Sequence, residues 1–217
     1  PAQWRRTYVT RFDPALVGKS GAKSGRAIVA GQVVHDVLER VDVREEAREL
    51  DLDLILEQAI GRWDEDAPEP ESDAGRAYRA FLRERVQAAA VAPAWKALVS
   101  MPGAARELAF MHLRADGTAV NGAFDLIARD GEAVRILDLK TSATAVATLA
   151  ERYRVQAAVY TEAARAITGA RDCAFTLLGL PAGESASVTP ASDLDALIAR
   201  LRAPDAPSAH RPPSSPP

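Results

Sequence analysis

Asp125, Asp138 and Lys140 are the residues of this chain whose types and spacing could do chemistry together. Asp130-Gly131 reads as a two-residue hairpin turn, because Asp-Gly tolerates the positive φ such turns need. Arg129 then pairs with Glu132, Asp125 lies opposite Ile136, and Asn121 lies opposite Lys140. Side chains alternate along a strand, so Ile136, Asp138 and Lys140 share one face. Asp125 shares it too, diagonal from Asp138 at about 7–8 Å. Two carboxylates at that reach can hold a hard cation such as Mg²⁺, which takes oxygen ligands. Such an ion neutralises a phosphodiester and lowers the pKa of an attacking water. A neighbouring lysine can orient or deprotonate that water, or stabilise a pentacoordinate state. Asp-x-Lys on a strand is also how a surface ion pair looks, so the surrounding elements have to decide.

Those elements read as follows. Residues 1–27 form an irregular basic arm, with Arg5, Arg6, Arg11, Lys19, Lys23 and Arg26 set against Asp13. It is placed either to touch phosphates or to lie solvated. From Ile28 to about Val43 the residues Val33, Val34, Val37, Leu38 and Val41 make a helical stripe. Residues 45–63 and 74–100 read as further helices around the Pro/Glu-rich linker 67–73, a helical insert over about 45–100. The period then switches to two. Strands are expected at 105–114, 119–129 and 132–140, punctuated by Asp116-Gly117 and Asp130-Gly131. A helix follows, with Thr148 and Glu151 as a capping box and Gly169 as its C-cap. Residues 172–180 read as a fourth strand, 192–202 as a short helix, and 203–217 as a disordered Pro/Ser-rich tail. The order predicts an α/β domain over 28–202 with a small mixed sheet flanked by helices.

Composition sets bounds. The chain has 217 residues, 47% of them hydrophobic, enough for a core. No apolar run reaches the roughly 18 residues of a membrane helix, and no secretory leader is recognisable, which points to a cytoplasmic protein. The net charge of −3 does not by itself mark a nucleic-acid binder. The single cysteine, Cys173, reads as a buried small hydrophobe and excludes an iron–sulfur cluster or a thiolate zinc site. Gly18-Lys19-Ser20 lacks the upstream glycine of a phosphate-binding loop, Asp13 standing there instead, so no ATPase motor is expected in these residues.

Four short runs carry a family resemblance: Gly122 to Asp125, Asp138-Leu139-Lys140, Gln156 with Tyr160, and the upstream helix from Gly31 through His35 to Leu38-Glu39. In that order and on those elements, the sequence over 28–180 resembles the RecB-type branch of the PD-(D/E)XK nuclease superfamily. It looks most like the nuclease domain of AddA-type helicase–nucleases. The resemblance implies a restriction-endonuclease-like fold and a Mg²⁺ or Mn²⁺ site made by His35, Asp125, Asp138 and the carbonyl of Leu139. It also implies that Lys140 positions the attacking water, while Gln156 and Tyr160 support the lysine or touch the DNA strand. Residue by residue, His35 could equally be a core-edge histidine, and Gln156 and Tyr160 could be packing residues. Glu39, one turn after His35, could orient it or be solvated. Glu107 matches an acidic position of the family, but a two-residue turn at Asp116-Gly117 puts it on the face opposite Asp125. A bulge or a three-residue loop would reverse that.

The implied activity is metal-dependent DNA hydrolysis leaving 5′-phosphate and 3′-hydroxyl ends. Single-stranded ends are the implied substrate, exonuclease action is favoured over endonuclease, and the role is repair, recombination or end processing. A helicase partner, linked or separate, is implied as well. Two alternatives are a non-catalytic DNA-binding or scaffold domain of the same fold and a stand-alone phage or defence nuclease.

Overall fold

A computed structural model describes residues 25–41, 49–142, 144–196 and 198. Most of the expected N-terminal arm, the expected tail and much of the 192–202 helix therefore lie outside the described residues. Among the described residues four helices come first: α1 (Gly25–Arg40), α2 (Glu49–Trp63), α3 (Asp73–Val91) and α4 (Pro93–Val99). Strands β1 (Ala105–Leu113), β2 (Ala119–Asp130) and β3 (Ala133–Lys140) follow, then α5 (Val146–Arg152), α6 (Arg154–Thr168), β4 (Asp172–Gly179) and β5 (Glu184–Ser187). The five strands form one sheet in sequential order. It is mixed: β1–β2, β2–β3 and β4–β5 are antiparallel and β3–β4 is parallel. The parallel step needs a crossover, which α5 and α6 supply.

Helices cover both faces. On one side Val33, Val37 and Leu38 of α1 join Leu56, Leu82 and Trp95 against Leu126, Leu137, Leu139 and Leu178 of the sheet. On the other, Leu149, Ala157, Tyr160 and Ala163 of α5 and α6 pack on Phe110, Phe124, Ile136, Phe175 and Leu177. Central strands covered on both faces read as continuous apolar runs, and Ala123–Ala128 are all buried. Among the described residues no helix is long and apolar enough to cross a membrane.

Three expectations change. The 74–100 helix is two helices, because Pro93 cannot continue α3 and holds Ala92 extended at ψ 130°. The crossover helix starts at Val146 after Ala145, without the Thr148–Glu151 capping box. It breaks at Tyr153 before restarting as α6, whose C-cap is the left-handed Gly169. The short strand β5 comes in addition to the four that were expected.

Both hairpin registers differ as well. In β2–β3 Asp130 pairs with Ala133 and Leu126 with Leu137, so the turn is Gly131-Glu132. Gly131 sits at its first central position with φ 61°, the place a type II′ turn reserves for glycine. The pairing is displaced by two residues from the expected one, which keeps every side chain on its face. Continued past Leu126, this register sets Asp125 across from Asp138. In β1–β2 Leu113 pairs with Ala119. The Gly117 amide returns to the Arg114 carbonyl at 2.9 Å, and Gly117 has φ 81°. The loop is therefore Ala115-Asp116-Gly117, three residues and not two.

Candidate metal centre and active site

The three-residue loop brings Glu107 across from Asp125, between the pairs Arg106–Leu126 and Leu108–Phe124. This corrects the expectation that Glu107 faces away. Glu107 itself drops out of the ladder, with φ 46°. A residue with a Cβ rarely takes that conformation, and inside a strand it re-aims the side chain. Asp125 opposite is irregular too. Phe124 packs on the α6 side while Leu126 packs on the α1 side, although strict alternation would give them one face. Both strands thus turn over at this point. The side chain of Asp125 reaches along the sheet, where its Oδ2 accepts the Leu139 amide at 2.7 Å.

His35 meets this bend from α1. Its Nδ1 lies 2.9 Å from Glu107 Oε1 and 3.4 Å from Asp125 Oδ1. His35 and Asp125 are buried and Glu107 is half-buried, and one ligand atom of each falls within 4.8 Å of the others. Glu39, one turn after His35, is exposed. The helix is held in place from both sides. Asp36, beside His35, accepts Arg40 and Arg62 at 2.7 Å each, tying α1 to α2. Arg106, beside Glu107, donates to the Leu38 and Val41 carbonyls at the end of α1, a favourable place for a cation.

Asp138 points to the α6 side. Its Oδ1 accepts Gln156 Nε2 at 2.8 Å, and Lys140 Nζ lies 2.5 Å from its Oδ2. Lys140 also sits 4.0 Å from the ring centre of Tyr153, at the break between α5 and α6. Burial alone would lower the Lys140 pKa. The charges of Asp138, Tyr153 and Asp125 outweigh it and hold the ammonium above its ordinary range. Beside these carboxylates Lys140 is held as an ammonium donor. Gln156 Oε1 is buried and makes no hydrogen bond among the described residues.

Tyr160 is buried edge-on against Phe110, Phe124 and Phe175 at 5.2, 5.5 and 5.9 Å. A Cβ at Gly122 would come 2.9 Å from Phe110 and 3.1 Å from the Tyr160 hydroxyl, so the glycine makes room for this cluster. Of the residues singled out from sequence, the structure gathers His35 with Asp125, and Asp138 with Lys140 and Gln156. Tyr160 stands behind them, and Leu139 enters through its amide.

Two carboxylates closing on one imidazole nitrogen set three ligand atoms within 4.8 Å of one another, where one cation could be held. Imidazole with carboxylates is a donor set for a divalent metal. A family model of the PD-(D/E)XK nuclease superfamily matches residues 1–206. The chain belongs to the PD-(D/E)XK nuclease superfamily. Members of this superfamily are generally metal-dependent nucleases, and the mixed sheet flanked by helices is the restriction-endonuclease-like fold. Among solved structures the chain is similar to one titled "Crystal structure of SSO0001", at 16% identity and a TM-score of 0.37. That match covers 87% of this chain and 79% of the other. A likeness so remote adds nothing to the assignment. No curated protein matches the sequence.

Proposed function

We propose that this chain is a Mg²⁺- or Mn²⁺-dependent deoxyribonuclease. The observation that carries the reading is the convergence of His35, Glu107 and Asp125 beside the Asp138–Lys140 pair. His35, Glu107 and Asp125 would hold the metal, with Asp138 and the Leu139 carbonyl completing the set by family resemblance. A divalent cation bound there supplies charge neutralisation at the phosphate and a more acidic water. Lys140, held charged, donates to the attacking water or to a phosphate oxygen. Gln156 fixes the Asp138 carboxylate through its amide nitrogen, and its Oε1 is buried without a hydrogen bond among the described residues. Tyr160 braces β2 from behind.

The proposed nuclease domain covers 28–202, with the insert over about 45–100, the basic arm before it and the tail from 203. The reading extends, by resemblance, to exonucleolytic action on single-stranded ends as the nuclease module of an AddA-type helicase–nuclease in repair or recombination, and, by composition, to a cytoplasmic setting.

The test is cleavage of labelled single- and double-stranded DNA with Mg²⁺ and with Mn²⁺, by the wild type, Asp138→Ala and Lys140→Ala. Calorimetric metal titration accompanies it. Each substitution should lower the rate by about a hundredfold or more. Equal rates in all three proteins would sink the proposal.

A further inference from the structure

Two arginines in the described part of the chain are buried, and they differ in what surrounds them. Arg114 is neutralised: it meets Glu162 at 2.8 Å and Asp195 at 2.5 Å. Arg85 of α3, at 7% exposure, has no buried counter-ion. Its Nη1 donates to the Phe81 carbonyl at 3.0 Å, and its Nε lies 3.5 Å from the Thr141 carbonyl. The carboxylate nearest to it is Glu84 at 3.4 Å, itself 62% exposed. Nη2 makes no hydrogen bond among the described residues. The guanidinium carbon rests 3.4 Å from the ring centre of Phe81, which is 39% exposed. The two environments pull the groups opposite ways. Hydrogen bonding to Glu162 raises Arg114 against its burial, whereas burial lowers Arg85 against the weak pull of Glu84.

A largely buried cation whose one ion partner, Glu84, is itself exposed can be completed by an anion from outside. The location says which anion. Thr141 directly follows Lys140, and a Cβ on Gly31 would come 3.3 Å from Thr141 Oγ1. Gly31 is one turn before His35 on α1, a rise of roughly 5.4 Å. Phosphates follow one another at roughly 3.4 Å of axis per strand. We propose that Arg85, backed by Phe81, grips a backbone phosphate of the polynucleotide strand roughly one or two nucleotides from the bond being cut. Arginine over an aromatic ring beside a strand path is a common pairing for nucleic-acid backbones. The proposal rests on the nuclease reading for its geometry, but binding can be measured without cleavage.

The experiment is fluorescence anisotropy of a labelled oligo(dT) with the full chain in EDTA, over a series of KCl concentrations. Cleavage of the same oligonucleotide with Mn²⁺ is run in parallel. Arg85→Gln should weaken binding several-fold at low salt and reduce the slope of log affinity against log[KCl] by about 0.7. Arg114→Gln should leave the slope unchanged. If Arg85→Gln does not fold, Arg85→Lys replaces it: the slope should persist while affinity falls, because lysine offers a point charge in place of a two-pronged donor. A folded Arg85→Gln with wild-type slope and affinity overturns the proposal. So do an Arg85→Lys with unchanged affinity and a wild type that does not bind. An unchanged slope in a protein that cleaves removes Arg85 and leaves the nuclease reading standing. A slope reduced by Arg85→Gln, where the wild type never cleaves, does the reverse.

Discussion

Position 107 should prefer glycine to alanine, the opposite of an ordinary strand interior. Glycine in a strand normally costs about 0.5–1 kcal/mol relative to alanine, through the freedom it loses on folding. At φ 46° any residue with a Cβ pays about 1–2 kcal/mol, and glycine does not. Both Glu107→Gly and Glu107→Ala give up the 2.9 Å contact to His35, so that loss cancels between them. Taking the middle of each range, the glycine variant should be more stable by about 0.5–1 kcal/mol. For a chain of 217 residues this is about 1–4 °C in melting temperature. The assay is urea and thermal unfolding of both variants in EDTA, so that bound metal does not bias the comparison. Alanine more stable than glycine by the usual margin would refute the strained backbone, and with it the account of how Glu107 reaches His35. Neither variant should retain wild-type Mn²⁺ affinity. Glu107→Gln keeps the backbone and a hydrogen-bonding group, yet should bind the ion at least about tenfold more weakly. Strain of this size persists where the surroundings over-determine it, commonly at functional sites.

Two further outcomes follow from packing and burial. Gly122→Ala places a methyl 2.9 Å from Phe110 and 3.1 Å from the Tyr160 hydroxyl. It should cost about 1–3 kcal/mol in thermal unfolding, and Phe110→Leu in the same chain should recover part of that loss. Burial pushes the Cys173 thiol up to about 11, with Arg165 opposing and Asp172 adding. The folded protein should therefore resist iodoacetamide at neutral pH, and urea should expose the thiol to it. The unfolded chain releases this proton from about 9.0 and the fold keeps it to about 11. The thiol's contribution to stability should thus decline as pH rises through that window, which unfolding of the wild type against Cys173→Ala would measure.

The layers of this fold were readable because burial imposes periods. Val33, Val37 and Leu38 recur as a helix face must, and Phe175, Leu177 and Leu178 form the apolar run of a strand covered on both sides. The turns were less readable, since Asp-Gly is compatible with two-residue and three-residue loops alike. The consequences of that ambiguity differ by parity. Moving the β2–β3 turn from Asp130-Gly131 to Gly131-Glu132 displaced the pairing by two and by itself changed no face; it is the turnover of β2 that takes Asp125 to His35 while Asp138 stays on the α6 side, so the two do not share the face expected of them. Lengthening the β1–β2 loop by one residue turned Glu107 toward Asp125. The remaining features lie beyond any local rule. Which helix docks His35 over the sheet depends on partners far away in sequence, such as Arg62 with Asp36 and Arg106 with the end of α1. The φ of Glu107 and the turnover of β2 at Asp125 both break the alternation that sequence reading assumes. They coincide because a regular pleat sends successive side chains to opposite faces. A site that joins a histidine above the sheet to carboxylates within it has to interrupt the pleat at the strands that carry them.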